Sequence, residues 1–95
     1  MKKFTASRLV GGNRIFPTSI IIDDTGVTVK IPSFFSGKEQ TIPYSRISSV
    51  NIDCPFIGYS TIIIETTGEG HINAIGFLKS EVKEMKELIL LKINN

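Results

Sequence analysis

Several residue types are absent or nearly absent from this chain, and their scarcity excludes whole classes of protein. The sequence contains no tryptophan, one cysteine (Cys54) and one histidine (His71). A single cysteine forms no internal disulfide, and nothing resembles the paired ligands of a structural zinc site. We therefore expect no disulfide framework, no metal site and no cofactor.

Long apolar runs are also missing. The longest unbroken run is Leu88 to Leu91, far short of the roughly 20 residues that span a bilayer as a helix. The charged start at Lys2 and Lys3 is followed by polar residues rather than by the apolar core of a signal peptide. We expect a cytoplasmic protein without a transmembrane segment, although peripheral contact with a membrane remains open.

A catalytic set is not evident in the sequence. His71 follows a Gly-Glu-Gly turn, and Cys54 precedes a proline in a predicted loop, so neither has an obvious partner to activate it. The pair Asp23 and Asp24 is explained by turn chemistry, since Asp-Thr-Gly favours a hairpin turn. We expect a protein that is not an enzyme.

The length and composition predict one globular domain over residues 1–95. Apolar residues make up 41% of the 95 residues and charged residues 21%, both near the averages for globular domains. The net charge of +2 is too small to indicate nucleic-acid binding. Residues 1–22 nevertheless carry four cations and no acid, which is either a solvated end or a basic edge for an anionic ligand; the cations are Lys2, Lys3, Arg8 and Arg14.

Short extended segments separated by turn residues fill the chain as far as residue 78. Val27 to Ile31 alternates apolar and polar residues, which predicts a strand with Val27, Val29 and Ile31 towards the core and Thr28 and Lys30 towards water. Turn residues such as Asp24-Thr25-Gly26 separate the segments. Further strands are predicted near residues 17–23, 38–44, 50–52, 60–67 and 71–76.

The stretch TIPYSRISSVNI, residues 41–52, changes its apolar spacing twice. Ile42 and Tyr44 are two residues apart, Ile47 and Val50 are three apart, and a spacing of two resumes at Ile52. This pattern predicts a strand that stops at Pro43, one helical turn over residues 44–47, and a second strand.

Residues from Lys79 onwards have the composition of an amphipathic helix. The segment contains no glycine or proline, Ser80 is a candidate N-cap, and Leu78, Val82, Met85 and Ile89 form an apolar stripe. We predict a helix at about residues 79–93 and an extra strand or hairpin within residues 4–16. The sum is a mainly β fold, a barrel or sandwich of about seven antiparallel strands capped by one C-terminal α-helix.

The order of these signals resembles the bacterial pleckstrin-homology-like (PH-like) domains. The resemblance rests on four segments in this order: PTSI at 17–20, VTVK at 27–30, IPYSRISSV at 42–50 and TIIIET at 61–66, followed by IGFLK at 75–79 before the helix. It covers about residues 14–93. It implies a PH-like barrel of two antiparallel sheets with the helix closing one corner.

Lipid headgroup binding is not carried over by this resemblance. Many eukaryotic relatives bind phosphoinositides through basic residues near the loop between their first two strands. If residues 20–22 form the first strand here, that loop is the acidic Asp23 to Gly26, which repels phosphate. If the first strand precedes Gly11, the loop is instead flanked by Arg8 and Arg14.

Two predicted loops contain large apolar side chains where solvated loops are usually polar. The side chains are Phe34 and Phe35 in one loop and Phe56, Ile57 and Tyr59 in the other. One interpretation is that these rings fold onto the barrel as part of the core. The other is an exposed cluster that serves as a protein interface, a homo-oligomer contact or a shallow membrane anchor.

These observations predict a non-enzymatic PH-like module that acts by protein contact and associates with itself. The alternative is peripheral binding of anionic lipid headgroups through Lys2, Lys3, Arg8 and Arg14. Nucleic acid is not an expected partner, because no strand alternates aromatic and basic residues on one face.

Overall fold

In the computed structural model, the described residues form seven antiparallel strands in two sheets and one C-terminal helix, which confirms the predicted fold class. The structure describes residues 2–7, 18–31, 37–68 and 70–94. Sheet A has the order β1-β2-β3-β4 and sheet B the order β5-β6-β7. The strands are β1 (Lys2–Thr5), β2 (Ser19–Ile22), β3 (Gly26–Ile31), β4 (Lys38–Pro43), β5 (Ile47–Asp53), β6 (Ser60–Thr66) and β7 (His71–Phe77), and the helix is α1 (Lys79–Ile93).

A tight turn at Asp23 joins β2 to β3. The Asp23 carboxylate accepts hydrogen bonds from the N–H of Thr25 at 2.9 Å, from its hydroxyl at 2.8 Å and from the N–H of Gly26 at 3.1 Å. Glycine is required at position 26 because a Cβ there would overlap with the carbonyl oxygen of Ile42 on β4. Turn structure therefore accounts for Asp23, as the sequence predicts, whereas the carboxylate of Asp24 is bonded to Lys92 of the helix.

A 3₁₀ turn at Tyr44–Arg46 forms the corner between the two sheets. It begins directly after Pro43 and leads into β5, so the predicted interruption of the apolar spacing is confirmed. Tyr44 is half-buried and donates a hydrogen bond from its hydroxyl to the backbone carbonyl of Asp23. This bond attaches the corner between the two sheets to the β2–β3 turn of sheet A.

The C-terminal helix contributes Val82, Met85 and Ile89 to the core, where all three are fully buried. It packs against β5, β6, β2 and the 3₁₀ turn. Two ion pairs attach its exposed side: Lys92 bonds Asp24 at 2.8 Å, and Glu84 bonds Lys2 at 3.0 Å.

The start of the helix differs from the prediction. The N-cap is Leu78 rather than Ser80, and the Glu81 side chain accepts a hydrogen bond from the Leu78 N–H at 2.8 Å. Leu78 has no side-chain acceptor, so only this half of a capping box is formed. Leu78 itself is 57% exposed and lies outside the buried stripe.

Burial along β3 follows the predicted alternation of buried and exposed residues, except at Ile31 and Thr28. Val27 and Val29 are buried as predicted, but Ile31 is 50% exposed because it stands at the end of the sandwich. Thr28 lies on the outer face yet is buried. Its hydroxyl forms a hydrogen bond with that of Thr41 on β4 at 2.8 Å. Because β3 lies between β2 and β4, side chains of both neighbouring strands shield Thr28 from water.

Candidate interaction surface

The loop between β5 and β6 exposes two large apolar side chains completely or nearly so. Phe56 has a relative exposure of 101% and Ile57 of 84%. Gly58, with φ of 104°, supplies the left-handed backbone conformation that turns the loop back. Of the two interpretations of this loop, the structure places Phe56 and Ile57 outside the core.

Tyr59 behaves differently from its neighbours. It is half-buried, and its phenolic oxygen accepts a hydrogen bond from the Ser7 hydroxyl at 3.1 Å. The Ser7 N–H in turn donates to the carbonyl of Gly76 on β7 at 2.7 Å. The base of the loop is therefore attached both to the segment that follows β1 and to the end of β7.

Two more exposed apolar residues lie at the same end of sheet B. Ile75 pairs in register with Thr61, at the start of β6, and is 52% exposed. Leu78 follows β7, whose last residue Phe77 pairs with Ser60, the first residue of β6. Phe56, Ile57, Ile75 and Leu78 together are called the sheet B end surface below.

The sequence pattern gives Ile75 no particular role and assigns Leu78 to the apolar stripe of the helix rather than to a surface. A bulge near Gly76, with φ of 111°, shifts the β6–β7 register between Ser60 and Thr61. Gly76 and Phe77 are consequently both buried in succession, while Ile75 points outwards. A glycine within a strand pattern is the available signal for such a bulge.

Of the four predicted basic residues, the structure describes Lys2 and Lys3, and neither lies beside the sheet B end surface. Lys2 and Lys3 lie at the start of β1, and Ser7 follows its end, about 13 Å further along at about 3.3 Å per residue. Lys2 bonds Glu84 and lies over the Phe4 ring at 6.0 Å from its centroid. Arg8, Arg14, Phe34 and Phe35 lie outside the described residues.

Cys54 and His71 are not arranged as a nucleophile and base. Cys54 follows the end of β5, near Thr61, whereas His71 pairs with Glu65 at the far end of β6. Four residues of β6 separate these levels, about 14 Å at about 3.4 Å per residue. Within the described residues, no group of three or more His, Cys, Asp or Glu is placed to hold a metal ion.

A family comparison matches residues 7–93 to the model described as the bacterial PH domain. This chain belongs to the bacterial PH domain family. The match covers all of the chain except its two ends and confirms the resemblance inferred from the order of the strands. Domains of this family are generally non-catalytic modules. No curated protein is similar enough to the chain to count as a match.

The observed strand order decides between the two positions considered for the loop after the first strand. In this bacterial PH domain the first strand precedes Gly11, so the β1–β2 connection spans residues 6–18. That connection contains Arg8 and Arg14 in its sequence, and the acidic Asp23 turn lies between β2 and β3 instead. Among the described residues, none of the helices is both long and apolar enough to cross a membrane.

Proposed function

We propose that this bacterial PH domain is a non-enzymatic module that binds proteins, including a second copy of itself, through the sheet B end surface. The exposure of Phe56 and Ile57 at the tip of the β5–β6 loop carries this proposal. Two adjacent large apolar side chains held in water on an anchored loop are typical of a contact surface rather than of a solvated turn.

The energetics favour burial of this loop by a partner. Covering a Phe or Ile side chain that was exposed contributes about 1.5–3 kcal/mol. Aromatic anchors also tend to dominate the binding free energy of protein interfaces. The bond between Tyr59 and Ser7 holds the base of the loop, which lowers the entropy lost when the tip is immobilised.

Sedimentation velocity across a series of micromolar concentrations tests this proposal. We expect the wild-type chain to shift towards a larger species as concentration rises, and the double variant Phe56→Ser/Ile57→Ser to remain a monomer. Leu91→Ser is the matched control, since Leu91 is 63% exposed on the helix, away from the β5–β6 loop in the sequence. A monomer at every concentration, or equal loss of association in the control, would contradict the proposal.

Binding to an anionic membrane is the second candidate function. The observation in its favour is that Ser7, which is bonded to Tyr59 beside the tip, is followed directly by Arg8 in the sequence. An apolar tip with cations nearby is the composition of a shallow membrane anchor. The ion pair of Lys2 with Glu84 argues against a contribution from that lysine.

Co-sedimentation with phosphatidylglycerol vesicles separates the two candidates. The membrane candidate predicts binding at low salt that weakens as salt is raised, and that is reduced both by Phe56→Ser and by Arg8→Gln. Absence of vesicle binding at low salt rules out the membrane candidate. The same result does not contradict the proposed binding of proteins.

A further inference from the structure

A pocket of about 470 Å³ is lined by residues of both sheets, from β3, β4 and β7. Its volume falls within the range of roughly 300–1,000 Å³ common for small-molecule sites. Sheet A contributes the end of β3 and the start of β4, and sheet B contributes the start of β7. The lining residues are Val29, Ile31, Gly37, Lys38, Glu39, Gln40 and Ile72.

Polar side chains occupy inner positions of β4 in this pocket. Lys38 pairs in register with Ile31, and Gln40 pairs with Val29. Directly opposite residues in an antiparallel pair share a face, so Lys38 and Gln40 lie on the same face as the core valine. Two pairs further along, the next β4 residue on this face is the fully buried Ile42, opposite Val27. The inner face of β4 thus changes from apolar to polar as it reaches the pocket.

Among the described residues that line the pocket, one cation has no ion-pair partner. Glu39 borders the pocket, but its register position puts it on the opposite face of β4 from Lys38, and its carboxylate is bonded to Lys30 at 3.4 Å. Lys38 forms no ion pair or hydrogen bond with any described residue. An ammonium group without a carboxylate partner, beside the Gln40 amide, favours a single negative charge.

We propose that this pocket binds a single-chain anionic amphiphile. Its carboxylate or phosphate head contacts Lys38 and Gln40, and its alkyl chain packs on Val29, Ile31 and Ile72. A polyphosphorylated headgroup fits less well, because it requires several cations, whereas the lining within the described residues contains one lysine and an apolar floor. This site is separate from the sheet B end surface and does not depend on the function proposed there.

Titration of the ¹⁵N-labelled full chain with decanoate, followed by NMR, is the direct test. We expect the largest shift changes at the amides of Ile31, Lys38, Gln40 and Ile72. Lys38→Gln weakens decanoate binding about tenfold, the size expected for a charge-assisted contact at a partly exposed site. Decanol, which lacks the charge, binds wild type and Lys38→Gln equally.

Two further variants separate the effect of the Lys38 charge from a general loss of positive charge and from a loss of apolar contact. Lys30→Gln removes a lysine of the outer face and leaves decanoate affinity within about twofold, since that charge is already paired with Glu39. Ile31→Ser, at a half-exposed position that tolerates a polar residue, weakens decanoate and decanol alike. Shift changes centred on Phe56 and Ile57, or an equal loss in Lys38→Gln and Lys30→Gln, would overturn the proposal.

The source of the amphiphile is distinguished by a second measurement. Vesicles of phosphatidylglycerol that retain wild type but not Lys38→Gln indicate a chain presented by a bilayer. Decanoate binding without vesicle binding indicates a free amphiphile, and either result supports the shared chemistry. Tighter binding of a leucine-terminated tripeptide than of decanoate would contradict it.

Discussion

Ser7 donates a hydrogen bond from its hydroxyl to the phenolic oxygen of Tyr59 across 3.1 Å, although 52 positions of sequence separate the two residues. The same residue reaches Gly76 through its backbone N–H. These two bonds attach the segment after β1 to sheet B beside the exposed Phe56 and Ile57. The orientation of the sheet B end surface therefore depends on contacts between the segment that follows β1 and two parts of sheet B that are distant from it in sequence.

Loss of the bond between Ser7 and Tyr59 is expected to destabilise the fold modestly. Tyr59→Phe removes the acceptor and leaves the Ser7 hydroxyl without it, so we predict a loss of about 0.5–1.5 kcal/mol in the free energy of unfolding by urea. Ser7→Ala gives a similar loss, and the double variant loses less than the sum of the two. Strictly additive losses would show that the two hydroxyls are not coupled.

Two helix residues separated by one position are expected to differ sharply in their effect on stability. Ile89→Ala opens a cavity in the core because Ile89 is fully buried, so the free energy of unfolding falls by about 2–5 kcal/mol. Leu91→Ala, at an exposed position, changes it by less than about 0.5 kcal/mol. Chemical denaturation of both variants measures the difference, and similar losses would place the helix in a different rotation.

Stability is expected to fall in acid partly through Asp23 and Asp24. Hydrogen bonds from the Thr25 hydroxyl, the Thr25 N–H and the Gly26 N–H lower the pKa of Asp23 below its ordinary value of 3.8. The hydrogen bond and charge of Lys92 lower the pKa of Asp24. Since both carboxyls are more acidic when folded, their contribution is present above about pH 4 and is lost as the pH falls below that value.

Thermal unfolding between about pH 5 and about pH 2.5 measures this effect. The fall in midpoint temperature is expected to be smaller in Asp23→Asn/Asp24→Asn than in the wild-type chain. Glu87→Gln is the control, because Glu87 is exposed and makes no ion pair or hydrogen bond with the described residues. An unchanged pH dependence in the double aspartate variant would contradict the assignment.

The corner at Tyr44–Arg46 was predictable because it is a local property. A proline that ends a ladder and a change of apolar spacing from two to three are both visible in TIPYSRISSVNI. The strand order and the helix follow from the same local signals. These patterns specify which residues face a core, and they are sufficient for the fold class and the family.

The exposure of apolar side chains at the ends of strands and helices cannot be predicted from such local patterns. Strand alternation assigns Ile31 to an apolar face, and helical spacing does the same for Leu78. Both residues are nevertheless at least half exposed, because each stands at the end of its element. The N-cap at Leu78 rather than Ser80 follows from Glu81 reaching back to the Leu78 N–H, a contact that competes with the usual serine cap. Such outcomes depend on the relative placement of elements distant in sequence.

The candidate sites show the same division. Phe56 and Ile57 were identified as candidates from an apolar loop, but only the fold separates them from the half-buried Tyr59. The pocket at Lys38 was missed, although Gln40 and Lys38 at inner positions before Ile42 are a usable signal. A polar residue on the inner face of a strand is informative only when the register is known.

Site-specific photocrosslinking tests the central claim most directly. A photoreactive phenylalanine analogue is placed at position 56 in the otherwise wild-type chain, and at position 91 in a matched control. At micromolar concentration, illumination is predicted to produce a covalent dimer from position 56 and little from position 91. Crosslinking from position 91 alone, or from neither position, would contradict the assignment of the sheet B end surface as the contact between copies.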